Sequence, residues 1–219
     1  MTLTHHHLAA RSGQTRSLVV LLHGFGTNGA AMLGLATALS VALPDTTFLT
    51  PDAPDPAPGR PGGRMWFSIP ELDGSSPEEA DARLQASARL LDAFLDHQLS
   101  AHGLHASAVA LLGFSQGAGM AYEVGPRRCD QMAGIVAISG RMKRKATLAT
   151  EVRSKPPFLI LAGADDPLIT TEETTRTAAC MSQAGIPAMR VLIGGTGHGI
   201  SDDMLAVARD LKSALQAAT

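Results

Sequence analysis

The chain is 219 residues long and carries 18 Lys and Arg against 20 Asp and Glu, a net charge of −2. That balance supplies no strong field for nucleic acid or an anionic membrane, and 45% hydrophobic residues bury a core without metal or disulfide staples. Disorder and fibrous folds are excluded. Cys129 and Cys180 are too few for a disulfide framework and lack the clustering of a zinc or redox site, so they read as reduced thiols in a cytoplasmic compartment. No basic segment followed by an apolar run opens the chain, and nothing approaches the roughly 18 uninterrupted apolar residues of a span. Neither a signal peptide nor stable membrane insertion is expected.

In chain order, the polar stretch 3–10, turned by Ser12 and Gly13, reads as an antiparallel edge. Aliphatic and β-branched runs follow at 18–22, 46–49, 106–112, 135–138, 158–161 and 189–193. Each is nearly continuously apolar, the pattern of a parallel strand buried on both faces. Helical patterns separate most of them. Met32, Leu35, Leu39 and Leu43 share one face, and Pro44 stops that helix. Ser76 and Glu79 form a capping box with Pro77 at the first helical position, and Leu84, Ala88, Leu91 and Leu95 mark the buried stripe. Ser201 caps a last helix with Asp202 and Asp203 in its first turn and Met204, Ala208, Leu211 and Leu215 inward. This alternation predicts an open, mostly parallel sheet with helices on both faces and ligands at the carboxyl ends of the strands. One α/β domain over 1–219 is expected, with 51–75 as a loop insertion lacking secondary structure. Its six prolines surround Met65, Trp66 and Phe67, either an active-site wall or a surface loop pinned by an aromatic plug.

Gly113-Phe114-Ser115-Gln116-Gly117 follows a buried strand and precedes a helical pattern, the arrangement of a nucleophile elbow. A Cβ at Gly113 or Gly117 would press on the crowded turn, and the following helix aims N–H groups at a developing oxyanion. The five-residue string is weak by itself, and its placement gives it weight. A serine hydroxyl needs a base, and the base needs an orienting carboxylate. Among eight histidines only His198 follows a late core strand, in a Gly-rich loop. His5, His6 and His7 alternate across a strand without cysteine or carboxylate partners, and His97, His102 and His105 belong to a solvated helix end. Asp165 and Asp166 both follow the strand at 158–161, and spacing alone does not choose between them. The order Ser, Asp, His is that of α/β-hydrolases. The turn after 18–22 brings the amide of Phe25 opposite that of Gln116 as an oxyanion pair, with His23 better read as a loop anchor than as a base.

With these motifs the chain resembles the carboxylesterase/phospholipase family of α/β-hydrolases, which includes acyl-protein thioesterases. Leu22-His23-Gly24-Phe25-Gly26 resembles its oxyanion loop, Gly113 through Gly119 its nucleophile segment, and Ser139-Gly140 the small pair after the next strand. Gly163-Ala164-Asp165-Asp166-Pro167-Leu168-Ile169 resembles its acid loop, which implies Asp166 as the acid, and Gly197-His198-Gly199-Ile200 resembles its histidine loop. Trp66-Phe67 resembles an aromatic pair that walls the site. Two positions depart from the pattern: Ser68 stands where Asp is usual, and Thr27 and Asn28 stand where an acid is often found.

The implied reaction is acyl transfer by Ser115, His198 and Asp166, with Phe25 and Gln116 meeting the oxyanion and no cofactor or metal. Trp66, Phe67 and Met65 would wall the acyl or alcohol group of a small-molecule ester, and no block is long enough for a cap domain. This favours a carboxylesterase of short to medium chains. Acyl-protein thioesterase or lysophospholipase activity is the nearest rival, and a non-catalytic ligand receptor would lack a triad member. A homodimer is compatible with exposed aromatic loops. Arg141-Met142-Lys143-Arg144-Lys145 is ordinarily read as a solvated charge run, although its place after 135–138 also suits anionic esters or an acidic protein surface.

Overall fold

Six apolar runs and one polar N-terminal segment form a seven-stranded sheet in the computed structural model, which describes residues 3–208. The strands are β1 (His5–Leu8), β2 (Ser17–Leu22), β3 (Thr46–Pro51), β6 (Val109–Phe114), β7 (Gly134–Ile138), β8 (Phe158–Gly163) and β9 (Ala188–Ile193). Between β3 and β6, β4 (Asp55–Pro56) and β5 (Arg64–Met65) pair as a separate small ladder. The helices are α1 (Leu33–Ser40), α2 (Pro70–Asp73), α3 (Pro77–His102), α4 (Gln116–Val124), α5 (Leu148–Glu151), α6 (Thr171–Gln183) and α7 (Asp202–Ala208).

The sheet runs β1-β3-β2-β6-β7-β8-β9, parallel throughout except at β1. The expected antiparallel edge is present, and its partner is β3, with His5 opposite Pro51 and Leu8 opposite Phe48. From β2 the chain moves outward to β3 and then returns to β6 on the other side. This reversal of strand order opens a crevice at the carboxyl ends of β2 and β6, where an open α/β sheet takes its ligand.

Successive strand residues point to opposite faces, and both faces are buried, so the strands read as continuous apolar runs. Val19, Leu21, Leu112, Val136 and Ile138 pack with Ala36 and Leu39 of α1 and Met204 of α7. Their neighbours Leu18, Val20, Leu22, Leu111 and Ile135 pack with Leu84, Leu91, Phe94 and Leu95 of α3, residues of α4, and Met181 of α6. Each fully buried Leu or Phe contributes about 1.5–3 kcal/mol relative to exposure. β9 differs from the expected buried strand: Met189 is exposed, because this edge strand has a hydrogen-bonded neighbour on one side alone among the described strands.

Local signals set the helix ends. The Asn28 side chain accepts from the Ala31 amide at 3.2 Å and opens a short 3-10 turn, Gly29–Met32, that feeds α1. Ser76 and Glu79 form both bonds of the capping box, and Gly103 in the left-handed region ends α3. Ser201 accepts from the Met204 amide at 3.3 Å, while Leu211 and Leu215 lie outside the described residues.

Two expected boundaries are corrected. The strand expected from 106 begins at Val109, because Ala106–Ala108 form a 3-10 turn. The stretch 51–75 does carry secondary structure: Pro51 belongs to β3, β4 pairs with β5, and α2 starts at Pro70 and ends at left-handed Gly74. Two-residue strands and a single helical turn are too short to produce a hydrophobic period, so composition alone reads them as loop. No inserted cap covers the sheet edge among the described residues. None of the described helices is long and apolar enough to cross a membrane.

Candidate active site

Ser115 stands between β6 and α4 with φ 54 and ψ −112, a left-handed conformation that non-glycine residues rarely adopt. The flanking glycines make that bend possible. A Cβ on Gly113 would overlap the Gly117 carbonyl, and one on Gly117 would overlap the carbonyl of Leu22. The Ser115 amide donates to the Ile138 carbonyl at 2.9 Å, which ties the bend to β7 and holds the hydroxyl above the carboxyl ends of the strands.

The loops after β8 and β9 bring the other two residues to it. Ser115 Oγ lies 3.0 Å from His198 Nε2, and His198 Nδ1 lies 2.9 Å from Asp166 Oδ2. The loops are clamped by backbone bonds from Ala164 N to Ile193 O at 2.8 Å and from Asp165 N to Thr196 O at 3.1 Å. Gly163 permits this approach, since a Cβ there would overlap the Thr196 carbonyl. The ambiguity between the two aspartates ends in burial: Asp166 is 5% exposed, whereas Asp165 faces solvent. Burial by itself raises the Asp166 carboxyl, but hydrogen bonds from the Ile169 amide, His198 and the Leu168 amide outweigh it and hold the group below the ordinary carboxylate range. Both amide bonds end on Oδ1 at 2.9 Å, leaving Oδ2 for the imidazole. An ionised carboxylate only accepts, so His198 Nδ1 donates, and a neutral ring then offers its Nε2 lone pair to the Ser115 hydroxyl.

The turn after β2 passes beside this array, and an ideal Cβ on Gly24 would stand 3.3 Å from Ser115 Cβ. Phe25, Gln116 and Ser115 line one cavity. Gln116 opens α4, where first-turn N–H groups have no intrahelical acceptor. His23 is fully buried, with Nδ1 at 2.8 Å from the Gly24 carbonyl and Nε2 accepting from the Ala53 amide at 3.0 Å. Two partners of opposite type fix a neutral ring with its proton on Nδ1. Burial also pulls the His23 pKa below its ordinary value, so this histidine is a loop anchor.

The expected aromatic wall is only partly realised. Phe67 lines the cavity, but Trp66 and Met65 do not, and both are buried. The Trp66 indole donates to the His23 carbonyl at 3.0 Å, making it the plug that joins the 51–75 loop to the turn after β2. A contact with no sequence signal adds to this joint. The Gln116 side chain accepts from Trp66 N at 2.7 Å and donates to Phe67 O at 2.6 Å, across a separation of about 50 residues. The Ser87 hydroxyl of α3 donates to the Trp66 carbonyl.

The cavity over Ser115 measures about 300 Å3, with apolar walls from Phe25, Phe67, Ile69, Leu72, Leu168 and Ile169. The basic run beside it is not uniformly solvated, as its composition would imply. Arg144 pairs with Glu123 at 2.7 Å and Glu151 at 2.8 Å, and Lys145 pairs with Glu173. Arg141 and Lys143 instead line the cavity.

A doubly covered parallel sheet, a strained serine after its central strand, and acid and histidine loops after the next strands define an α/β-hydrolase. Residues 3–215 match the Phospholipase/Carboxylesterase family, and the chain belongs to that family. It is 33% identical to the crystal structure of esterase PE8, which superposes with a TM-score of 0.92 over 98% of this chain and 100% of that one. Esterase YpfH of Escherichia coli (strain K12) is 26% identical over 210 residues, 95% of this chain and 88% of that protein. Arabidopsis thaliana SOBER1 shares the fold at a TM-score of 0.80 with 24% identity, covering 91% of this chain and 99% of that one. Family and fold are those of hydrolases.

Proposed function

We propose that this protein is a serine carboxylesterase that hydrolyses short- to medium-chain esters through an acyl-enzyme on Ser115. The observation that carries the reading is the continuous array Ser115 Oγ, His198 Nε2, His198 Nδ1, Asp166 Oδ2, with contacts of 3.0 and 2.9 Å. Asp166 holds the tautomer in which Nε2 takes the hydroxyl proton as Oγ attacks the ester carbonyl. The amides of Phe25 and Gln116 receive the charge on the tetrahedral oxygen. His198 then delivers its proton to the departing alkoxide, and the C–O bond to the alcohol breaks. Water, deprotonated by His198, attacks the acyl-enzyme, and as the resulting intermediate collapses His198 returns the proton to the departing Ser115 oxygen and the acid is released.

An open cavity of about 300 Å3 supports small and medium acyl groups. Two of the relatives, esterase PE8 and esterase YpfH, are named for ester cleavage. All five proposed catalytic groups come from one chain, so no partner is needed to complete the site, and a cytoplasmic setting accords with Cys129 and Cys180 as free thiols. The test is a series of ethyl esters and matched thioesters hydrolysed by the parent and by Ser115→Ala. The expected result is a kcat/KM that peaks at short to medium acyl chains and falls beyond about eight to ten carbons, as a pocket of limited depth requires. Ser115→Ala should lose about 10⁴-fold or more in kcat. A profile still rising past that length, or a thioester preference, would move the assignment to an acyl-protein thioesterase or lysophospholipase.

A further inference from the structure

The four cations of the 141–145 run part into two pairs of different character. Arg144 and Lys145 are neutralised by Glu123, Glu151 and Glu173, which lie on or beside α4, α5 and α6. Among the described residues, Arg141 and Lys143 make no ion pair, and both line the cavity that contains Ser115. Their position follows from the turn after β7. Ser139 has a left-handed φ of 47, and Gly140 lies so close to the nucleophile turn that a Cβ there would stand 2.8 Å from the Ser115 carbonyl oxygen. The next residue is Arg141. Its guanidinium donates to the Leu168 carbonyl at 3.2 Å, which holds it against the acid loop and leaves further N–H donors for a ligand.

The Lys143 ammonium sits 6.0 Å from the centre of the Phe67 ring, on the apolar wall. Desolvation at this wall, together with the Arg141 charge, pulls the Lys143 pKa below its ordinary value. Glu71 is the one carboxylate among the residues lining the cavity, and it lies beyond ion-pair distance of either cation, so two positive charges face one negative. A cavity walled by apolar side chains but edged by two cations and a single carboxylate is poorly matched to a purely hydrocarbon ester. Both cations are exposed at the cavity edge, with Lys143 resting against the apolar Phe67 wall, and a charge-assisted bond to an anion is stronger than a neutral one.

We propose that Arg141 and Lys143 are specificity-determining residues that select esters bearing a second, free carboxylate, with the monoester of a dicarboxylic acid as the substrate class. The inference rests on the Ser115 acyl-transfer reading. The apolar walls take the methylene chain, and the two cations take its carboxylate end.

The experiment compares monoethyl adipate with ethyl hexanoate, which share acyl length and leaving group and differ in the terminal carboxylate. The expected parent kcat/KM is higher for monoethyl adipate. In Arg141→Gln/Lys143→Gln the ratio of the two kcat/KM values should fall about tenfold or more, mainly through KM, and in the parent added salt should lower it. Arg11→Gln/Lys155→Gln removes the same net charge at exposed positions outside the cavity lining and should leave the ratio within about twofold. A parent that prefers ethyl hexanoate, or a ratio that falls less than about threefold in the pocket variant, overturns the inference. Hydrolysis of both esters that survives Ser115→Ala overturns the acyl-transfer reading itself. Hydrolysis that needs Ser115 but ignores Arg141 and Lys143 removes this inference alone.

Discussion

Gln116 satisfies two buried backbone groups at once, the Trp66 N–H and the Phe67 carbonyl, while the residue also lines the Ser115 cavity. Gln116→Ala leaves both groups unpaired at a cost of about 1–3 kcal/mol each. Urea denaturation should therefore show a lower midpoint at unchanged slope, and KM should rise as Phe67 loses its anchor. A midpoint equal to the parent's would show that water or a neighbour takes over both bonds. The residues of the site differ in how readable they are along the chain. Ser115 announces itself through flanking glycines that its sharp turn demands locally, and His198 through its place in a Gly-rich loop after a late core strand. Asp165 and Asp166 are indistinguishable by spacing, and burial against Ile169 and Leu168 separates them. Gln116 gives no side-chain signal at all, since its partners lie about 50 residues away. Trp66 was legible as an aromatic in a long loop, but only the packed structure assigns its indole to the His23 carbonyl.

The contact between β2 and α4 depends on an absent methyl group. Gly117→Ala would drive a Cβ into the carbonyls of Leu22 and His23, both backbone, so the elbow must shift. The expected outcome is a loss of about 1–3 kcal/mol in thermal or urea unfolding. Esterase activity should also drop at least about tenfold, since a displacement of 1 Å at Ser115 is enough for such losses. Gly34→Ala is the contrast: its Cβ meets nothing within 4 Å at an exposed position of α1, and it should stabilise by about 0.5–1 kcal/mol. Elements with strong aliphatic periods, such as α3 and the central strands, were readable from pattern alone. α6 has no aliphatic stripe to read, because Thr174 and Thr177 occupy two of its three buried positions. Its start was nonetheless encoded, since the Thr170 hydroxyl accepts from the Glu173 amide at 3.3 Å.

His23 joins two parts of the molecule by three bonds: the turn after β2 through Gly24, and the 51–75 loop through Ala53 and, by its carbonyl, through Trp66. Its pKa is lowered by burial from the ordinary 6.5, so between that value and the folded one a proton binds the unfolded chain and not the native one. This group's contribution to stability is complete above 6.5 and is lost as pH falls toward the folded value, with a slope of up to about 1.4 kcal/mol per pH unit. Urea unfolding at pH 7.5, 6.5 and 5.5 should show that decline in the parent and a shallower one in His23→Gln. Identical slopes would remove His23 as its source. Along the chain, apolar runs, glycine-rich turns and the order Ser115, then an Asp at 165 or 166, then His198 were enough to specify a parallel sheet and the edge where these residues gather, because these signals act over a few residues. The tertiary structure alone decided that Phe67 lines the cavity while Trp66 is buried against the His23 carbonyl, and that Arg144 and Lys145 are paired while Arg141 and Lys143 line the cavity. Burial and charge compensation depend on which distant segments meet, and no spacing within one segment records that.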